Sequence, residues 1–160
     1  MERQRPLKAT IKLFPFCFDF VFDEYHRVTQ LIINWHLQVE RPKIDSIPQL
    51  QDGSILILRE LISYFKGLKR YLDIPHNLSK VTPLSREVIT YLREIPSGKV
   101  ETYGNLAKRF GTSPRAIGQI LAHNPLPLIY PCHRIVGMNH IGGYSQGPLT
   151  KWMLLYWERF

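Results

Sequence analysis

Five phenylalanines at alternate positions, Phe14, Phe16, Phe18, Phe20 and Phe22, limit the fold of this chain more than any other stretch. Successive side chains of an extended chain point to opposite faces, so this run is a strand with one aromatic face. The rings could stack on a ligand, but a stripe of this kind belongs to a core far more often. Cys17 falls on the opposite face and reads as a buried, inert thiol. Residues 23–26 read as a turn and 27–33 as the returning strand of a hairpin. Segment 37–53, with Pro42, Pro48 and Gly53, reads as connection. Leu58, Leu61, Ile62, Phe65 and Leu68 recur at helical spacing and predict a helix near 54–70. Its outer positions are Arg59, Glu60, Lys66, Lys69 and Arg70. Residues 73–77 read as a linker.

The second half is patterned by helices. Leu84, Val88, Tyr91, Leu92 and Ile95 mark one that ends at Pro96-Ser97-Gly98, and residues 99–102 are extended. Residues 103–110 read as a short helix with Leu106, Ala107 and Phe110 inward and Lys108 and Arg109 outward. Gly111-Thr112-Ser113 is a turn. Ser113 is a good N-cap and Pro114 suits the first helical position. Ala116, Ile117, Ile120 and Leu121 continue a second helix, which Asn124-Pro125 stops. Short helix, glycine turn and capped second helix form the helix-turn-helix pattern, with Arg115 where such a motif enters a groove. An ordinary helical hairpin with an exposed arginine fits the same residues.

Charge favours the first reading. The 160 residues carry 21 basic and 13 acidic groups, a net +8. No carboxylate stands between Glu101 and Glu158, a window that holds Lys108, Arg109, Arg115, Arg134 and Lys151. A surface without acids can lie against phosphates without repulsion. No stretch approaches the roughly 18 apolar residues of a membrane span, and the start lacks the apolar core of a signal peptide. Cys17 and Cys132 cannot form a disulfide scaffold, and no residues have zinc-finger spacing. His26 and His76 join Cys17 only weakly as a metal set, so no metal is expected. These features point to a reducing compartment: cytoplasmic, or nuclear in a eukaryote.

Cys132 is the residue with chemistry to offer. Pro125, Pro127 and Pro131 stiffen its approach, and His133 and Arg134 give an electropositive setting that favours thiolate. Thiolate is the strongest common protein nucleophile at neutral pH. A Cys-His dipeptide alone also fits a DNA-binding regulator with an inert thiol. A thiol hydrolase fits less well, since no oxyanion loop is evident.

Pro131-Cys132-His133-Arg134, preceded by Asn124-Pro125, resembles the active-site signature of the O6-alkylguanine-DNA alkyltransferases, the methylated-DNA–protein-cysteine methyltransferases. Ile95-Pro96-Ser97-Gly98-Lys99-Val100 and Thr102-Tyr103-Gly104-Asn105-Leu106-Ala107 look like that family's approach to its helix-turn-helix. Arg115-Ala116-Ile117-Gly118 is similar to the start of its recognition helix. Gly142-Gly143-Tyr144-Ser145, Lys151, Leu154-Leu155 and Glu158 follow in the family's order and spacing. The resemblance runs from about 82 to 158. Before that, only Tyr64-Phe65-Lys66-Gly67 resembles the end of the family's N-terminal helix.

The resemblance implies a DNA repair protein of the α+β class. Residues 1–80 would form a small α/β domain, an antiparallel sheet plus helix with a ribonuclease H-like layout. Residues 81–160 would form a mostly helical domain with the helix-turn-helix. Acting as a monomer and without a cofactor, it would bind duplex DNA through the minor groove and flip out O6-alkylguanine. The alkyl group would pass irreversibly to Cys132. His133 would be the base, Glu158 would orient it, and Tyr103 would hydrogen-bond the departing guanine. Asn124, Arg134, Ile135, Tyr144 and Ser145 would surround the substrate. Arg115 would fill the gap in the base stack, while Ala116 and Gly118 permit close approach and Lys108 and Arg109 meet phosphates. Two residues depart from the family pattern: Tyr130, where an aliphatic residue is commoner, and Gln146, where glycine is frequent beside the alkyl pocket.

Overall fold

The computed structural model describes residues 7–13, 15–35, 44–45 and 51–159. The aromatic run is the middle of a four-stranded antiparallel sheet, order β3-β2-β1-β4. Its strands are β1 (Leu7–Leu13), β2 (Phe16–Phe22), β3 (Val28–Trp35) and β4 (Ile44–Asp45). Phe16, Phe18, Phe20 and Phe22 are at most 3% exposed, and burying each ring is worth about 2–3 kcal/mol. Phe14 lies outside the described residues. Phe18 sits opposite Ile11 and Ile33, and Phe20 opposite Ala9 and Leu31. Val28 differs in parity from Leu31 and Ile33 yet is also buried. A register shift at Val21/Phe22 inserts one extra β3 residue, Thr29, and so brings Val28 onto the same face. The hairpin turn is held by Asp23, whose carboxylate accepts from the amides of Tyr25 and Arg27.

Segment 37–53 is not connection throughout. Ile44–Asp45 pairs with β1, and helix α1 (Gln51–Phe65) begins inside the segment; residues 37–43 and 46–50 lie outside the described residues. α1 also ends five residues before the sequence reading places its end. Gly67 takes φ +71°, the Leu68 amide donates to the Ser63 carbonyl, and the Gly67 amide donates to that of Tyr64. This glycine-closed end stops the helix although apolar spacing continues to Leu68. Ile57, Leu61 and Tyr64 of α1 are buried, and Phe65 stacks on Phe16.

Residues 73–77 are docked rather than a loose linker. His76 bridges to Val28 beside β3, the Val28 amide donates to Pro75, and Asn77 donates to Val28. Beyond them lie α2 (Pro83–Tyr91), a 3-10 turn at Leu92–Glu94, α3 (Tyr103–Arg109), α4 (Pro114–Ala122) and α5 (Pro148–Trp157). Thr102 and Ser113 cap α3 and α4 with their side chains, so both starts are set locally. A short parallel pair joins β5 (Glu101–Thr102) to β6 (Ile135–Val136). The protein is thus mixed α/β. No helix among the described residues is long and apolar enough to cross a membrane.

Candidate active site

Cys132, His133 and Arg134 form a single 3-10 turn just before β6. Three residues per turn send the three side chains to three sides, whereas a strand would alternate them between two. The turn is buried, yet Cys132 lines a cleft of about 730 Å³ together with Tyr103, Arg115, Gly118, Tyr144 and Ser145. Asn124 follows the end of α4 and reaches this turn. Its Nδ2 donates to the Tyr130 carbonyl at 2.8 Å and to Cys132 Sγ at 3.1 Å, while its Oδ1 accepts from the Leu126 amide. The approach is fixed further back, where buried Leu128 is held at φ +69°, a conformation that bulky residues avoid.

His133 Nε2 lies 2.8 Å from Glu158 Oε1. A nitrogen facing a carboxylate carries the ring proton, which leaves Nδ1 as the basic atom. Nδ1 is buried and has no hydrogen-bond partner among the described residues. Glu158 stands at the C-terminal end of α5, where the helix dipole disfavours an anion. Arg134 compensates. Its Nη2 is 2.7 Å and its Nε 3.1 Å from Glu158 Oε1, while Nη1 donates to the Ile95 carbonyl and Nη2 also to that of Arg70. The Gly98 amide lies 3.3 Å from Glu158 Oε2. Gly98 has φ +75°, and a Cβ there would lie 2.9 Å from the Glu158 carbonyl, so the close approach requires glycine.

Burial pushes the Cys132 thiol up to about 11, against the opposing pull of Asn124 and Lys151. The electropositive setting read from the sequence therefore does not yield a resting thiolate: desolvation of the charged sulfur outweighs the nearby cations. The thiol needs a base at the moment of reaction. Burial also lowers His133, with Glu158 offsetting it and Arg134 and Lys151 adding to it. His133 is thus neutral at pH 7 and able to accept a proton. For Glu158, burial acts upward, but His133 and Arg134 outweigh it and hold the carboxyl well below the usual range.

Two of the five cations in the acid-free window are interior. Arg134, expected beside the substrate, is fully buried, turned onto Glu158 and absent from the cleft wall. Lys151 is equally buried; its Nζ donates to the carbonyls of Ile135 at 2.5 Å and Gly143 at 3.0 Å and lies 3.4 Å from the Tyr103 hydroxyl. Burial brings this amine down to about 8, against the effect of Cys132. The Ile135 side chain is buried, and its carbonyl accepts from Lys151. Arg115, Lys108 and Arg109 are exposed, although Arg109 stacks 4.1 Å above the Tyr91 ring. Ala116 is half-buried, and the space above Gly118 is open.

Tyr103 opens α3, and its hydroxyl donates to the Gly143 carbonyl at 3.3 Å. A Cβ at Gly142, φ +77°, would lie 2.8 Å from the Tyr103 ring, so glycine lets the 142–147 loop lie on the tyrosine. Tyr144 packs edge-on against His133, and its buried hydroxyl faces the Cys132 thiol; Ser145 is exposed. Both departures from the family pattern have structural uses. Gln146 Oε1 accepts the Ile33 amide at 3.0 Å and so ties this loop to the edge of β3. Tyr130 donates to His76 Nε2 at 2.7 Å, since His76 Nδ1 gives its proton to the Ile74 carbonyl, and Arg93 lies between the Tyr130 and Tyr71 rings. Reading the sequence also missed Tyr64 as part of the site. Its hydroxyl lies 2.5 Å from Glu158 Oε1, and only the Tyr64-to-Gly67 motif pointed that way.

A thiol on the wall of an open cleft, next in the chain to an imidazole that is paired with a carboxylate, is a set of groups that nucleophilic-cysteine chemistry can use. Comparison with known proteins narrows the class. The family described as "6-O-methylguanine DNA methyltransferase, DNA binding domain" matches residues 83–160. A methylated-DNA–protein-cysteine methyltransferase of Methanocaldococcus jannaschii is 36% identical over 137 residues, 86% of this chain and 66% of that protein. One of Archaeoglobus fulgidus is 46% identical over 98 residues, 61% of this chain and 66% of that protein. The matched stretches therefore span just under two thirds of these relatives. Among solved structures, the O6-methylguanine-DNA methyltransferase of Pyrococcus kodakaraensis KOD1 superposes with a TM-score of 0.69 at 26% identity, covering 96% of this chain and 98% of that one. A Mycobacterium tuberculosis OGT in complex with DNA superposes at 0.71 and 25% identity, covering 94% and 92%. Along these stretches the chain is similar to the methylated-DNA–protein-cysteine methyltransferases.

Proposed function

We propose that this protein repairs DNA by taking the alkyl group of O6-alkylguanine, chiefly O6-methylguanine, onto Cys132. One observation carries the reading: the only thiol on the cleft wall, among the described residues, directly precedes in the chain a histidine that is paired with Glu158. His133 Nδ1 receives the Cys132 proton through a water. Sulfur then attacks the alkyl carbon, the S–C bond forms as the C–O6 bond breaks, and the electron pair leaves with guanine. Tyr103, polarised by Lys151, donates a hydrogen bond to the departing base. The thioether is not reversed, so one molecule of protein repairs one lesion and no cofactor takes part.

O6 is hidden in the duplex stack, so the nucleotide has to be flipped into the cleft. The α3–α4 unit is read as a helix-turn-helix working from the minor groove, with Arg115 filling the vacated stack. Ala116 and Gly118 allow close approach; Lys108, and Arg109 less freely because of Tyr91, contact phosphate. Asn124 joins α4 to the reacting turn, and Tyr144 and Ser145 hold the base. In this reading the chain divides near residue 80 into a ribonuclease H-like first domain and the alkyltransferase domain, and it works as a cytoplasmic monomer.

The test is to mix the protein with duplex DNA carrying one O6-methylguanine and weigh its peptides. The expected result is a gain of about 14 Da on the Cys132 peptide, absent in Cys132→Ser. Tight DNA binding with an unmodified Cys132 would sink the proposal in favour of a lesion recogniser.

A further inference from the structure

α1 sends one side chain into the reacting cluster. Tyr64 is in the last turn of α1 and is 4% exposed. Its hydroxyl lies 2.5 Å from Glu158 Oε1, the same oxygen that receives His133 at 2.8 Å and Arg134 Nη2 at 2.7 Å. The hydroxyl is also 3.4 Å from His133 Nε2, but the proton on that nitrogen already points to Glu158. A carboxylate oxygen has about two lone-pair directions. Three donor groups on Oε1 therefore compete for the same charge. The placement of Tyr64 is fixed by neighbouring contacts: Trp157 of α5 donates to the Phe65 carbonyl at 2.8 Å, and its ring meets Phe65 edge-on.

We propose that Tyr64 is a positioning residue of the transfer site: by donating to the carboxylate oxygen that holds His133, it draws off charge from Glu158 and so sets how strongly His133 binds a proton. The proposal deepens the alkyl-transfer reading and rests on it for its effect on rate. The charged and titratable groups around His133 are Glu158 from α5, Arg134 and Cys132 from its own turn, Lys151 from α5, Tyr64 from α1 and Tyr144 from the 142–147 loop. Among them Tyr64 is the neutral donor aimed at the shared oxygen, so it can be weakened without removing a charge.

The sign follows from competition. Removing the Tyr64 hydroxyl leaves more of the Glu158 charge for His133, which favours imidazolium. His133 then protonates at higher pH, and the base is lost sooner as pH falls. In Tyr64→Phe, the His133 midpoint, followed by NMR of ring-labelled histidine in DNA-free protein, should rise by about half a pH unit or more. The acid limb of single-turnover methyl transfer should move up by the same amount. A 3-fluorotyrosine installed at position 64 keeps the shape, strengthens the donor and should move both downward. A folded Tyr64→Phe whose His133 midpoint is unchanged or lowered overturns the proposal. If Tyr64→Phe does not fold, the fluorinated protein decides alone: a downward shift supports the proposal, and no shift or an upward one refutes it. The titration needs no substrate, so failure of wild-type protein to accept a methyl group would refute the alkyl-transfer reading separately.

Discussion

Glu158→Gln is the substitution that most directly challenges this account of the site. The side chain keeps its shape and loses its charge. Glu158 accepts from His133, Arg134, Tyr64 and the Gly98 amide. A glutamine offers one acceptor oxygen, and its amide group turns two donors toward one of those four. Arg134 is fully buried and its remaining partners are two backbone carbonyls, so the change leaves an uncompensated interior cation. Breaking one side of a buried ion pair costs about 3–5 kcal/mol. In a chain of this size each kcal/mol moves Tm by about 2–4 °C, so a fall of about 10 °C is expected. Urea unfolding followed by tryptophan fluorescence gives the free energy directly. Rapid-quench transfer from O6-methylguanine duplex should slow by a further factor of about 10²–10⁴, because neutral glutamine no longer stabilises the imidazolium. A loss below about 1 kcal/mol with an unchanged rate would show that the Arg134–Glu158–His133 contacts are incidental.

Four further outcomes are expected. Carbamidomethylation of Cys132 by iodoacetamide should be slow at pH 7 and climb toward about 11, where the thiol ionises; fast labelling at pH 7 would mean a resting thiolate. Protonation of His133, lowered by burial from its ordinary 6.5, should remove the base and slow transfer as pH falls below that value. Because the folded state resists this proton more than the unfolded state does, stability should decline over the same acid range, which urea titrations at several pH values would detect. Arg115→Ala should slow transfer from duplex by about 10²-fold yet leave the reaction with free O6-methylguanine base unchanged, and equal loss on both substrates would place Arg115 in the chemistry instead. Gln146→Ala should cost about 1 kcal/mol by leaving the Ile33 amide without its acceptor, measured by thermal unfolding; no loss would mean that the tie to β3 is unimportant.

What the sequence decided by itself is local. The alternating phenylalanines define β2 because strand geometry has period two. Thr102, Ser113 and Pro114 set the starts of α3 and α4 because caps act within three residues. The Cys132-His133 pair, with its ordered flanking motifs, is enough to point to the relatives that the chain matches. The direction of each side chain was another matter. Arg134 and Lys151 look like surface cations in sequence, and only packing shows them inside, bound to Glu158 and to the 142–147 loop. Val28 joins the buried face through a bulge that no alternation pattern reveals. Tyr64, His133, Arg134 and Glu158 meet across as many as 94 positions of chain. Their meeting depends on α1 docking against α5, and such docking follows from shape and buried area summed over the whole fold. Periodicity, caps and motifs report each segment on its own. The shared carboxylate oxygen exists only once those segments are packed together.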